Sequence, residues 1–130
     1  KISGPDLPTG GEIILSNRTK QKAEDFKKSF PFLRVINWGE TIKSDLVVNA
    51  TSIGIKKNDE IKLDYSKLNS NLFYDLIYNP PKTIFLENAK KYGKKIENGK
   101  NMFIFQAMKA FEIWHSVKPE ISEEVKNLIK

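Results

Sequence analysis

Short apolar runs alternate with amphipathic segments along the chain, and this alternation is the feature that most constrains its fold. Runs with strand character lie at residues 12–16, 33–36, 46–48, 72–77 and 95–97. Segments with the periodicity of a helix lie between or after them, at residues 20–30, 84–92, 102–114 and 122–130. Strands that alternate with helices predict an α/β protein with a mostly parallel sheet and flanking helices.

For two of the predicted helices the sequence allows more specific predictions. Thr19 precedes the first of them, and its hydroxyl is suited to cap the helix N-terminus. In the third helix, six apolar residues surround most of the first half: Met102, Phe103, Ile104, Phe105, Ala107 and Met108. A helix that is apolar on several sides is normally covered on several sides, so we expect this one to be buried.

Length and composition indicate one globular domain. The chain has 130 residues, against the usual ~100–200 residues per domain. No apolar run approaches the ~18–20 residues that a membrane-spanning helix needs, and Lys1 to Pro5 lack the apolar stretch of a signal peptide. The absence of cysteine excludes disulfides, thiolate nucleophiles and zinc sites built on cysteine. We therefore expect a protein of the cytoplasm that does not associate with membranes.

The positive charge of the chain is mostly lysine. The net charge is +6, from 22 basic and 16 acidic residues, but only Arg18 and Arg34 are arginines. Proteins that read nucleic acids favour arginine, because its planar guanidinium makes paired hydrogen bonds to phosphate and guanine. A nucleic-acid partner is therefore not expected, although a basic nucleic-acid-binding module stays an alternative.

The segment after the first predicted strand is rich in groups that bind anions. In a parallel α/β sheet the ligand crevice lies beyond the carboxyl ends of the strands. Asn17, Arg18 and Thr19 occupy that position here, and Lys22 lies one helical turn further on. A carboxylate at this place would accept a ribose 2′-hydroxyl, whereas an arginine, a hydroxyl and a helix N-terminus suit an adenosine 2′-phosphate, which favours NADP over NAD. A capped helix with two solvated cations explains the same residues without a ligand.

Three further candidates follow later strands or lie in the long helix. The segment Asn49-Ala50-Thr51-Ser52-Ile53-Gly54 would let a flat ligand approach the backbone, although a tight turn has the same composition. Tyr78 follows the next strand, and its hydroxyl either reaches the crevice or packs over a turn. Gln106 lies in an otherwise apolar segment, where its amide either binds a hydroxylated ligand or begins the solvent-facing side of the helix.

The sequence gives no sign of a metal site. His115 is the only histidine and lies late in a predicted helix. No HExxH or nucleophile-elbow motif occurs, and the acidic residues form no cluster of ligands.

Four of these segments, taken in order, resemble the C-terminal half of the shikimate dehydrogenase family. Asn17-Arg18-Thr19 resembles the family's N-R-T segment, and Asp45 to Gly54 resembles D-L-V-V-N-A-T-S-x-G. Tyr74 to Thr83 resembles Y-D-x-x-Y-x-P-x-x-T, and Gly99 to Trp114 resembles G-x-x-M-x-x-x-Q-A followed by F-x-x-W. Each motif is weak alone, but four in register make a specific signal over almost the whole chain.

The resemblance implies an NADP-dependent oxidoreductase that reversibly reduces 3-dehydroshikimate to shikimate, in the biosynthesis of chorismate and the aromatic amino acids. The cofactor would bind a Rossmann-like parallel sheet. By the family's pattern, the residues that would contact it are Asn17, Arg18, Thr19, Lys22, Asn49, Ala50, Thr51, Leu76, Gly99 and Met102. Tyr78 and Gln106 would contact the substrate.

The resemblance also implies that residues 1–130 form only the NADP-binding domain with its C-terminal helices. The first strand, the glycine-rich loop and the N-terminal substrate domain would be absent from this chain, and Lys1 to Gly4 would end the helix that follows the loop. Because the family's catalytic lysine and aspartate belong to the substrate domain, no residue of this chain is expected to be catalytic.

The chain departs from the family pattern at two further places. The family usually has a second arginine where this chain has Lys22, and Leu-Gly where it has Lys100-Asn101. A lysine keeps the charge but loses the planar fork of arginine. A relative that uses quinate or accepts both cofactors is the alternative among enzymes, and Arg18 disfavours it.

Overall fold

The computed structural model describes residues 11–128, and the chain divides into two compact units, residues 1–40 and 41–130. In the first unit, β1 (Ile14–Ser16) leads into α1 (Lys20–Ser29), and β2 (Arg34–Ile36) then pairs with β1 in parallel. This is the strand, helix and parallel strand that the alternation predicts. The expected helix end at Lys1 to Gly4 lies outside the described residues.

The second unit contains a three-stranded parallel sheet. Its strands are β3 (Leu46–Asn49), β4 (Leu72–Asp75) and β5 (Lys95–Asn98), with β4 in the centre. The connection from β4 to β5 is α2 (Ile84–Lys91), and α3 (Lys100–His115) and α4 (Glu123–Leu128) follow. Parallel strands with flanking helices confirm the predicted fold class, although the strands pair as sheets of two and three rather than as one. None of the described helices is long and apolar enough to span a membrane.

The core of the second unit lies between β4 and α2. Phe73 of β4 and Leu86 and Ala89 of α2 are at most 2% exposed. Tyr65 comes from the irregular segment between β3 and β4, and its ring centroid lies 5.8 Å from that of Phe73 and 6.5 Å from that of Phe85. These aromatic contacts hold a segment without helix or strand against the sheet.

The burial of Tyr65 predicts a loss of stability at alkaline pH. Burial raises the pKa of Tyr65 to about 12, and the Glu60 carboxylate acts in the same direction. The unfolded chain loses the Tyr65 proton at pH ~10, whereas the folded chain still keeps it there. The contribution to the free energy of unfolding that is present below pH ~10 is therefore lost as the pH rises towards 12. We expect Tyr65→Phe to remove this loss in urea unfolding between pH 9 and 12.

At pH 7, Tyr65→Phe should not reduce the free energy of unfolding. The Tyr65 hydroxyl is buried and makes no hydrogen bond to the described residues, so its removal should leave the free energy of unfolding unchanged or raise it by about 1 kcal/mol. Tyr92→Phe is the matched control, since this neighbouring ring is 55% exposed. An equal alkaline loss in wild type and Tyr65→Phe would contradict the prediction.

The expectation that α3 is buried on several sides is wrong. Within the described residues Ile104 is its one buried residue, whereas Phe105 is 62% and Trp114 is 77% exposed. The first turn of the helix contacts the rest of the second unit, where Phe103 stacks on Tyr78. Composition therefore identifies the apolar character of α3 but not what covers it.

Candidate functional site

The junction between β1 and α1 combines a helix N-terminus with exposed cations. Asn17 Oδ1 accepts a hydrogen bond from the Thr19 amide at 2.8 Å, which fixes the turn. Thr19 is the N-cap residue, but its side chain makes no capping bond, so that expectation is wrong. Arg18 and Lys22 are exposed, and the first turn of α1 has no acidic residue. Within the described residues the first two amides of the helix and both cations are therefore open to an anion, whereas the third amide donates to the Thr19 carbonyl at 3.0 Å.

A polar contact ties the end of β2 to the start of α1. Lys20 Nζ donates to Asn37 Oδ1 at 2.9 Å, and the Asn37 amide donates to Glu40 Oε2 at 3.0 Å. Sequence reasoning assigned no role to these three residues. The contact engages the lysine beside Thr19, which leaves Arg18 and Lys22 as the cations at this junction without such a contact in the described residues.

The segment Asn49–Gly54 forms a tight loop held by its own side chains. The Asn49 side chain is 2% exposed, and its Oδ1 accepts from the Thr51 amide at 3.0 Å and the Thr51 hydroxyl at 2.7 Å. The Thr51 hydroxyl in turn accepts from the Ile53 amide at 3.1 Å, and Asn49 Nδ2 donates to the Ile53 carbonyl at 3.0 Å. The Asn49 and Thr51 side chains thus shape the loop, and what it offers a ligand is backbone together with the exposed Ala50 and Ser52.

Asp75 connects this loop to two other segments. It is fully buried, and its Oδ1 accepts from Asn49 Nδ2 at 3.1 Å and from the Ile77 amide at 3.0 Å. Its Oδ2 accepts from the Thr83 hydroxyl at 2.5 Å, and Thr83 also caps α2 by accepting from the Leu86 amide. One carboxylate therefore holds the ends of β3 and β4 and the start of α2 together.

Gly54 closes the loop against the same threonine. Its φ is +117°, a region that favours glycine, and a Cβ there would lie 3.0 Å from Thr83 Cγ2. The final glycine of the N-A-T-S-x-G pattern is therefore required by both the backbone conformation and the space.

Gly99 brings the start of α3 against the end of β4. A Cβ on Gly99 would lie 2.0 Å from the Leu76 carbonyl oxygen, closer than any side chain allows, and the Gly99 amide donates to the Ile77 carbonyl at 3.3 Å. The Leu76 amide donates to the Asn49 carbonyl at 3.0 Å. Asn49, Leu76 and Gly99, which are predicted to contact the cofactor, therefore form one continuous edge.

Tyr78 lies next to this edge and contacts α3. Its ring stacks on that of Phe103, with centroids 4.7 Å apart and planes at 23°. Met102 and Gln106 lie on the same helix and are exposed, so Gln106 is not the partly buried amide that its apolar neighbours suggest. Sequence reasoning missed Phe103, and no local pattern could have found it, because its partner lies on another element.

The structure thus forms two groups of candidate residues. Asn17, Arg18, Thr19 and Lys22 belong to the first unit, and the remaining candidates belong to the second. Within the described parts of both units, no cluster of three histidine, aspartate or glutamate side chains could hold a metal ion.

Comparison with known proteins identifies relatives of this chain. A shikimate dehydrogenase (NADP(+)) of Pelagibacter ubique (strain HTCC1062) is 56% identical over 119 residues, which are 91% of this chain and 45% of that protein. The chain is homologous to the shikimate dehydrogenases. It spans a little under half the length of the curated shikimate dehydrogenases that it matches. No family model matches the chain.

Solved shikimate dehydrogenases have the same fold over this region. The enzyme of Thermus thermophilus, in complex with NADP(H) and shikimate, matches with a TM-score of 0.79 and 31% identity over 93% of this chain and 47% of that one. A second shikimate dehydrogenase, in complex with NADP+, matches with a TM-score of 0.78 and 34% identity over 91% of this chain and 45% of that one.

Proposed function

We propose that this chain is the NADP-binding portion of a longer enzyme that interconverts 3-dehydroshikimate and shikimate, a step towards chorismate and the aromatic amino acids. The observation that carries the proposal is the similarity to a shikimate dehydrogenase (NADP(+)), at 56% identity over 91% of the chain. The relatives are enzymes, which leaves the nucleic-acid alternative without support. The enzyme is expected to act in the cytoplasm on a small molecule.

The first unit would bind the adenosine end of NADP. Arg18 and Lys22 supply positive charge, and the start of α1 supplies amide donors that the Thr19 side chain does not occupy. An acidic residue, which would repel a 2′-phosphate, is absent from the first turn of this helix. These residues fit the phosphorylated cofactor rather than NAD.

The second unit would bind the nicotinamide end along the edge formed by Asn49, Leu76 and Gly99. Backbone bonds at Leu76 and Gly99 and the buried bond from Asn49 to Asp75 fix this edge, so it can orient a flat ring without rearrangement. Ala50, Thr51 and Met102 would complete the contacts. NADP, when bound, supplies or accepts the hydride.

Tyr78 and Gln106 would bind the hydroxyl groups of the substrate. Gln106 lies three residues after Phe103, which places both on one side of α3. Because Phe103 stacks on Tyr78, the phenol and the amide can serve one polyhydroxylated ligand. The groups that transfer the proton would come from the rest of the enzyme, so this chain would bind and orient.

The test is the oxidation of shikimate by the complete protein that contains this chain. NADP+-dependent formation of 3-dehydroshikimate, with little turnover of quinate or with NAD+, is the expected result. Equal rates with quinate would favour the quinate-using alternative, and equal kcat/KM for NAD+ and NADP+ would reject the assignment of the 2′-phosphate. Inactivity towards both acids would reject the proposed function.

A further inference from the structure

The aromatic pair of Tyr78 and Phe103 joins a residue of the proposed substrate site to one that has no assigned role. The rings are 4.7 Å apart and nearly parallel, at 23°. Stacking fixes the plane of a phenol while its hydroxyl, at the edge of the ring, stays free for another partner. Phe103 therefore constrains the direction in which the Tyr78 hydroxyl points.

The backbone fixes Phe103 relative to Tyr78. Phe103 lies in the first turn of α3, where its amide donates to the Gly99 carbonyl at 2.9 Å. Gly99 in turn packs closely against Leu76, and its amide donates to the Ile77 carbonyl. Leu76 and Ile77 are the two residues directly before Tyr78. The start of α3 therefore cannot shift away from the end of β4 without breaking these contacts.

We propose that Phe103 is a positioning residue for the substrate, which acts by holding the Tyr78 ring in the orientation that presents its hydroxyl. This inference rests on the proposed function. Phe103 is 37% exposed and is not part of the buried core, so its role is to orient a neighbour rather than to stabilise the fold.

The experiment compares Phe103→Leu, which keeps an apolar side chain but removes the stack, with Phe103→Tyr, which keeps the stack. In the complete enzyme we expect Phe103→Leu to raise the KM for shikimate roughly 3- to 10-fold, with kcat and the KM for NADP+ within about twofold of wild type. Phe103→Tyr should restore the wild-type KM. Phe105→Leu is the matched control, because Phe105 lies on the same helix and is 62% exposed.

A double variant tests the mechanism of the effect. Without the hydroxyl, the orientation of the ring no longer matters, so Phe103→Leu should add little to the KM of Tyr78→Phe. A KM for Phe103→Leu equal to that of wild type, or a full additional increase in the Tyr78→Phe background, would overturn the inference while leaving the proposed function intact. Absence of shikimate oxidation by the wild-type enzyme would overturn both.

Discussion

Replacement of Asp75 by alanine is expected to reduce the free energy of unfolding by about 3–5 kcal/mol, since each buried donor left without its acceptor costs about 1–3 kcal/mol. The carboxylate is fully buried and accepts hydrogen bonds from Asn49, Ile77 and Thr83. Its removal leaves three buried donors without their acceptor, and the desolvation of each donor is no longer compensated. Urea unfolding of wild type and variant measures the difference.

The substitution Asp75→Asn should be milder, at about 1–3 kcal/mol. An asparagine oxygen can still accept from Asn49 and Ile77, but its NH2 group would face the Thr83 hydroxyl, which donates in the wild type. Glu97→Gln is the matched control, because Glu97 is an exposed carboxylate on the neighbouring strand. If Asp75→Ala were no more destabilising than Glu97→Gln, the network would not hold these segments together.

Periodicity and turn residues could predict the order and type of the elements. Each predicted strand and helix that lies within the described residues is present, and the parallel pairing follows from their alternation. The strand predicted at residues 72–77 ends early, at Asp75. Beyond this residue the Ile77 amide donates to Asp75 Oδ1 rather than to a carbonyl of a neighbouring strand.

The internal bonding of the candidate site could not be predicted in the same way. Asn49 and Asp75 are 26 residues apart, and only the adjacent ends of β3 and β4 bring their side chains together. The sequence indicates that Asn49 follows a strand, but not that the oxygen and the nitrogen of its side-chain amide already hydrogen-bond to neighbouring residues. A motif of polar residues after a strand therefore predicts where the candidate site lies. Only the contacts in the structure show which of those residues shape the site and which remain open to a ligand.

The same distinction applies to Arg18 and Asn17. Both belong to one motif, yet the Asn17 side chain fixes the turn, whereas the Arg18 side chain is exposed. The cofactor-binding and substrate-binding roles of all these residues stay predictions. Among them Arg18 has the most direct test, since NADPH and NADH differ by the single group that it is proposed to bind.

Replacement of Arg18 by alanine is expected to raise the Kd for NADPH by roughly 10- to 100-fold. Charge-assisted hydrogen bonds are worth about 1.5–3 kcal/mol, and each 1.4 kcal/mol corresponds to about a factor of ten in Kd. The Kd for NADH should stay within about twofold, because NADH has no 2′-phosphate. Titration calorimetry of the complete protein with both cofactors measures the two changes.

Two further variants separate the guanidinium from the charge. Arg18→Lys keeps the charge but loses the planar fork, so its Kd for NADPH should lie between those of wild type and Arg18→Ala. Arg34→Ala removes the same charge from the same unit, at an arginine that pairs with Glu12 at 3.5 Å, and should leave the Kd for NADPH within about twofold. If Arg34→Ala weakened NADPH binding as much as Arg18→Ala, general electrostatic attraction would replace a specific phosphate contact as the explanation. If Arg18→Ala weakened NADH and NADPH equally, the residue would bind a part of the cofactor that the two share, and the preference for NADP would need another origin, with Lys22 the next residue to replace.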